Sequence, residues 1–167
     1  MRIVFTGSHG VGKSTLFDRI YSLIPLPFAF DSFVRNHPNL KNYSARTQQR
    51  YIDFWYIWKH YFQCPPSYIA SRSIYDTWAY AKLTVHPDFH YHLMKWAVRH
   101  IWYDYVFYVP IEFPLVNDGV RFSDPSFQIA HDKTLKLILD YHGVPYHTIR
   151  GTVDERVQQV KDILGYD

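Results

Sequence analysis

A chain of 167 residues with a formal net charge of +3 is the size of one folded domain and long enough to bury a sizeable core. Its single cysteine, Cys64, excludes an internal disulfide and suits a reducing compartment, and no apolar run is long enough to span a bilayer. The charge suits an anionic ligand without marking a nucleic-acid binder, and an aromatic share of 19% serves a core or base stacking equally, so composition leaves both open.

Met1-Arg2 leads into a short apolar run, Ile3-Val4-Phe5, which reads as a strand. Next comes Gly7-Ser8-His9-Gly10-Val11-Gly12-Lys13-Ser14, a match to G-x-x-x-x-G-K-[ST], with a helical run over 15–20 behind it. The glycines let the backbone wrap so that successive N–H groups from Gly7 to Thr15 face a polyphosphate, and the helix adds the positive end of its dipole. In that arrangement Lys13 reaches the β- and γ-phosphates of ATP and the Ser14 hydroxyl ligates Mg²⁺. A removable leader would destroy this unit, so the chain is expected to be soluble and cytoplasmic, in the host cell if phage-encoded.

Pro25 and Pro27 end the first helix, and 28–30 reads as a short strand closing at Asp31. Tyr51, Phe54, Trp55, Trp58 and Tyr61-Phe62 recur at steps of three and four, predicting a long helix over about 47–62 that Pro65-Pro66 stops. A buried strand is predicted over 68–70, a helix from about 74 to before His86-Pro87, another over about 89–102, and a strand over 105–109. The segment 110–123 is irregular and contains Asn117-Asp118-Gly119. Asp124-Pro125 is an N-cap followed by proline at the first helical position, and that helix runs to about 141, where Gly143 ends it. A last strand over 146–149 and the capping box Thr152-x-x-Glu155 complete the chain. Strands alternating with helices predict βαβ units, hence an α/β three-layer sandwich with a parallel sheet of about five strands. Ligands bind such sheets beyond the carboxyl ends of the strands, where Gly7, Asp31, Ser71 and the loop after Val109 all fall.

Arg72 follows a strand at that edge, where a guanidinium can grip a phosphate with two hydrogen bonds; the alternative is a surface ion pair. Asp76, one turn into the next helix, orients Arg72 or the substrate, or is a plain acid at a helix N-terminus. Arg121, beside the hinge-like Gly119, suits a mobile segment that neutralises a transferring phosphoryl group while excluding water. His86, His90 and His92 have no acidic or cysteine partner to complete a metal set and read as exposed helix histidines. The aromatic stripe is either core or, through Tyr51, Trp55 or Trp58 with Arg46 and Arg50 beside it, a platform for a base.

Taken together, the chain resembles compact P-loop kinases of the nucleoside and nucleoside-monophosphate kinase superfamily, most of all NadR-type kinase domains and small phage-encoded relatives. The resemblance is carried by 5–15, by Ser71-Arg72-Ser73-Ile74-Tyr75-Asp76-Thr77-Trp78-Ala79-Tyr80, and by Asp118-Gly119-Val120-Arg121 followed by Asp124 and a helix. It implies one P-loop kinase domain over 1–167, with an acceptor-binding helical segment at about 36–64 and a lid at about 111–128. It also implies that adenine is cradled near Gly151-Thr152, with Arg150 as a stacking partner. Trp55, Arg50, Arg72 and Asp76 would then face the acceptor. Two departures stand out. Gln128 lies where related lids carry a second arginine, and Ser71 replaces the acid that contacts Mg²⁺ or acts as base. One reading has Asp31 stand in for that carboxylate, with Arg35 one turn later binding the acceptor; the alternative is that Asp31 is a helix cap.

The expected activity is ATP-dependent transfer of the γ-phosphoryl group to a nucleotide-type acceptor, first of all a deoxynucleoside monophosphate. An acceptor phosphate is already anionic and needs no base, which suits Ser71. One alternative keeps the chemistry with a hydroxyl acceptor, either a free nucleoside or a hydroxymethylated pyrimidine within DNA. Another is a regulatory P-loop NTPase without an acceptor. Oligomeric state is not legible.

Overall fold

The computed structural model describes residues 1–24, 26–27, 29–30, 33–63, 65–86, 88–113 and 124–166. The strands are β1 (Arg2–Thr6), β2 (Ala29–Phe30), β3 (Tyr68–Ala70), β4 (Tyr105–Tyr108) and β5 (His147–Thr148). They form one sheet in the order β2-β3-β1-β4-β5, and every pairing is parallel. β1 is central and apolar on both faces, with Ile3, Val4 and Phe5 fully buried, as a strand covered on both sides requires.

The helices are α1 (Lys13–Leu23), α2 (Phe33–Asn36), α3 (Ala45–Ile57), α4 (Ile74–Thr84), α5 (Tyr91–His100), α6 (Pro125–Tyr141) and α7 (Val153–Leu164). One face of the sheet is covered by α1 and α7, where Leu16, Ile20, Val157 and Val160 pack on Ile3, Phe5 and Phe107. On the other face α3, α4, α5 and α6 share a core containing Tyr56, Trp78, Met94, Leu135 and Leu139. The three-layer α/β sandwich and its five parallel strands follow the alternation legible in the sequence.

Two boundaries differ for local reasons. The helix predicted over 47–62 begins two residues earlier, because the Ser44 hydroxyl accepts from the Thr47 N–H and caps it. It also changes character at Trp58, where 58–62 form a π-helical turn closed by the Gln63 N–H donating to the Trp58 carbonyl at 2.8 Å. The second helix after β3 occupies 91–100 rather than 89–102, entered through His90 in the left-handed region at φ 53°.

Two histidines lie inside this core. His60 contacts the Tyr68 hydroxyl at 2.9 Å, and His131 contacts the Asp76 carbonyl at 3.3 Å. Burial holds both far below the ordinary imidazole value, at about 3. Below about pH 6.5 the unfolded chain therefore takes up protons that the folded chain refuses. Stability should be level with respect to these groups above that pH and fall as pH drops toward 3. Each contributes a slope approaching roughly 1.4 kcal/mol per pH unit. Urea unfolding between pH 7 and pH 5 measures it, and His131→Asn should flatten the slope; an unchanged slope would mean His131 is not buried in the neutral form.

Candidate functional site

The loop between β1 and α1 takes its shape from glycines with positive φ: Gly7 at 146°, Gly10 at 73° and Gly12 at 89°. At Gly7 a Cβ would also collide with the Val109 carbonyl at the end of β4, so the close approach of loop and sheet depends on the missing side chain. Gly12 is the N-cap of α1 and supplies no side-chain acceptor, and the first turn holds no acid. The leading N–H groups of α1 thus lack a capping side chain, the arrangement that receives an anion. Lys13, in that first turn, is almost wholly buried and donates to the carbonyls of Gly7, at 2.6 Å, and Ser8. Ser14 beside it is half-buried and Thr15 is exposed.

The loop is fastened on three sides. From α4, the Asp76 carboxylate accepts from the Gly7 N–H at 3.1 Å and the Thr6 hydroxyl at 2.8 Å, and also from the Ser73 N–H at 2.8 Å and the Ser73 hydroxyl at 2.7 Å. Ser73 and Asp76 are the capping box of α4, so one carboxylate starts that helix and holds the stem of the loop. From α6, the Gln128 side-chain amide donates to the His9 carbonyl at 2.7 Å, and the Ser8 hydroxyl donates to the Gln128 carbonyl at 3.0 Å. From α7, buried Arg156 donates to the Val11 carbonyl at 2.7 Å and to Glu112, just past β4, at 2.8 Å.

Arg72 lies between β3 and α4 with its guanidinium 5.6 Å from the Tyr80 ring centre. Burial opposes its charge, but Tyr80, Tyr56 and Asp76 more than offset this and hold it protonated. The Tyr80 ring packs 4.3 Å from that of His131, and both contact Phe127 at the start of α6. After burial and the opposing pull of Asp76, the charges acting on His131 are Lys13 and Arg72, which both disfavour its protonation. A neutral imidazole therefore sits within the field of both cations. The contacts that lead from them run from Arg72 through Tyr80 to His131, and from Lys13 through Gly7 to Asp76.

Beyond the loop, Glu112 gathers the Gly151 N–H at 2.8 Å and the Arg150 guanidinium at 3.3 Å together with Arg156. Though burial opposes it, these donors, led by Arg156, hold the carboxyl below the usual range. Arg150 thus pairs at the surface with Glu112 beside Gly151. Ser71 is buried at the end of β3, its N–H on the Phe30 carbonyl at 3.0 Å. On α3, Arg50 is exposed, while Trp55 is half-buried with its ring 5.1 Å from Phe33. Asp31 and Arg121, together with the rest of the expected lid over 114–123, lie outside the described residues, as does the side chain of Arg35. His90 is bonded to buried Asp53 at 2.7 Å and His86 lies 3.9 Å from Asp88; among the described residues no three metal-ligating side chains cluster.

The residues that sequence reasoning missed are Gln128, His131, Glu112 and Arg156. Gln128 stands out in the sequence only as the place where related lids carry an arginine. The others carry no local signal: Arg156 follows a capping glutamate like any helix-surface charge, and Glu112 lies in a stretch read as irregular.

A family model described as an AAA domain matches residues 60–156. Among solved structures, the fold is similar to deoxyadenosine kinase from M. mycoides with dCMP and dCDP bound (TM-score 0.76, 14% identity, covering 99% of this chain and 98% of that one). It is also similar to NadR in complex with NAD and AMP-PNP (0.76, 16%, 99% of this chain and half of that one). Thymidylate kinase from Candida albicans is a third (0.68, 15%, 98% and 91%). None of the curated proteins gives a significant match. These likenesses establish a P-loop kinase-type fold.

Asp76→Ala should orphan the buried donors of Thr6, Gly7 and Ser73 together and cost roughly 2–4 kcal/mol in urea unfolding. Ser73→Ala, which removes only the cap hydroxyl, should cost about 1 kcal/mol. Equal losses would reduce Asp76 to a helix cap.

Proposed function

The chain belongs to the AAA-domain family whose model spans its residues 60–156, and from the site it carries on this fold we propose that it is an ATP-dependent phosphotransferase acting on a nucleotide-type acceptor. A deoxynucleoside monophosphate is the acceptor the site suits first. The observation that carries this reading is a glycine-shaped loop and an uncapped helix start with Lys13 folded onto the loop carbonyls, and Arg72 at the same sheet edge packed on Tyr80. A site that only binds a triphosphate needs the loop; a second cation, the half-buried Arg72 guanidinium at the same sheet edge, suits transfer to another anion.

The triphosphate lies along the backbone from Gly7 to Thr15, and the Lys13 ammonium exchanges its carbonyl partners for phosphate oxygens. Ser14 fits Mg²⁺: its hydroxyl is a hard oxygen donor in the first turn of α1, and this ion is commonly held by one or two protein oxygens plus phosphates and waters. When bound, the ion would neutralise charge on the phosphates. An acceptor oxygen forms the new bond to the γ-phosphorus as the bond to the β–γ bridging oxygen breaks and ADP leaves. Arg72 draws the acceptor and the equatorial oxygens together, and Arg121 is assigned the same task from the lid. Arg150 beside Gly151 is assigned to the adenine side.

An acceptor phosphate is anionic and gives up no proton, which suits the uncharged Ser71 hydroxyl at the end of β3. A nucleoside hydroxyl is the second reading, favoured by the likeness to deoxyadenosine kinase and to NadR. It requires a base, for which Asp31, followed by Arg35, is the candidate.

With labelled ATP, a panel of deoxynucleoside monophosphates, deoxynucleosides and DNA with and without hydroxymethylpyrimidines should yield labelled diphosphate from one or more monophosphates. Steady phosphate release with no labelled acceptor would overturn transfer. Lys13→Ala should lower turnover by at least about a hundredfold with the fold intact by circular dichroism. Asp31→Asn should leave kcat unchanged for a phosphate acceptor and lower it for a hydroxyl acceptor.

A further inference from the structure

A groove of about 610 Å³ opens between α3 with its π-helical turn and α5. Its walls are mostly rings, among them Tyr51, Phe54, Trp55, Trp58, Phe62 and Trp96. Four of these are more than half exposed: Tyr51 52%, Phe54 58%, Trp58 58% and Phe62 64%. Trp58 and Phe62 stack 5.6 Å apart at 28°, with one ring after the other presented by the π turn. So much aromatic surface facing water marks a binding face.

The charges around it narrow the occupant. α3, its π turn and α5 carry Arg46, Arg50, Lys59, Lys95 and Arg99; the one acid they hold, Asp53, is fully buried beneath Gln49, Thr77 and His90. Of the cations, Lys59 lies 5.8 Å over the groove's Trp55 ring and exposed Arg50 adjoins Tyr51, while among the described residues these three elements expose no carboxylate. A second copy docked through the same face would set these cations against each other. Aliphatic anchors of a peptide would find a wall made almost wholly of flat rings. Stacked bases on a phosphate backbone satisfy both features, rings for the bases and ammonium or guanidinium groups for the phosphates.

We propose that this groove binds single-stranded nucleic acid, with bases stacked on Trp58, Phe62 and Phe54 and phosphates held by Arg50 and Lys59. The groove also reaches Phe33, three residues beyond the end of β2, so a strand lying in it leads toward the sheet edge that carries Lys13 and Arg72. Binding in the groove does not depend on phosphoryl transfer.

The test is fluorescence anisotropy of the whole chain with a labelled oligo(dT) of about fifteen nucleotides, at low and at raised salt. Binding should weaken steeply with salt and exceed that of a duplex of the same length. Trp58→Ala and Phe62→Ala should each weaken it about tenfold, with unchanged circular dichroism. Arg50→Glu should weaken it and lower the salt slope. Lys13→Ala should leave it unaltered, so that failure of the kinase reading would not be mistaken for failure of this one. No binding at low salt, binding indifferent to Trp58→Ala and Phe62→Ala, or a dimer in light scattering that Trp58→Ala dissolves without any oligonucleotide affinity would each overturn the proposal.

Discussion

The structure turns on the carboxylate of Asp76. Its two oxygens gather donors from the end of β1, from the first residue of the phosphate loop and from the cap of α4. Buried carboxylates are costly unless their lone pairs are filled, and here they are filled by protein groups. The same contacts fix where β1 releases the chain and where α4 begins. Arg72 sits four residues ahead of Asp76 at the junction of β3 and α4, so the carboxylate that sets the loop also sets the position from which the guanidinium projects.

A loop with three residues at positive φ would wander if its ends alone were anchored. Gln128 from α6 and Arg156 from α7 hold its backbone carbonyls at His9 and Val11 in addition. Both act on carbonyls and take none of the loop's N–H donors. That division follows from polarity: an anionic ligand needs donors, so the carbonyls must be turned away and satisfied elsewhere. His131 supports the arrangement by remaining neutral. Burial keeps its imidazole uncharged, and the ring packs against Tyr80 beside Arg72 while contacting the Asp76 carbonyl.

The parts of this design that rest on neighbours in sequence were legible. Alternating strands and helices, the caps at Asp124 and Thr152, and the glycine-lysine loop are local signals, and each corresponds to an observed element or cap. Gln128 and Arg156 were not legible as clamps, because their partners lie 119 and 145 residues away and polar side chains on a helix look alike until packing turns one inward. The π turn at Trp58 was hidden for a related reason. Aromatic spacing of three and four reports which face is apolar, and a slip of one hydrogen bond leaves that spacing nearly unchanged. Asp76 could be read as an acid at a helix start, but its hold on Gly7 could not.

Composition hides one further feature by averaging. A net charge of +3 does not by itself mark a chain that binds nucleic acid. The structure shows that the charges are sorted. Near the phosphate loop the arginines on α1, on α7 and before α7 are paired with acids: Arg156 and Arg150 share Glu112, and Arg19 meets Asp154. Along α3 and α5 they are not, since Asp53 is spent inside the protein on Gln49, Thr77 and His90. An acid used for packing contributes nothing to the field outside, so the surface there is more basic than its sequence. The exposed rings occupy that same surface. Charge and aromatic area are thus sorted onto the same pair of helices, which a core built only for stability does not require.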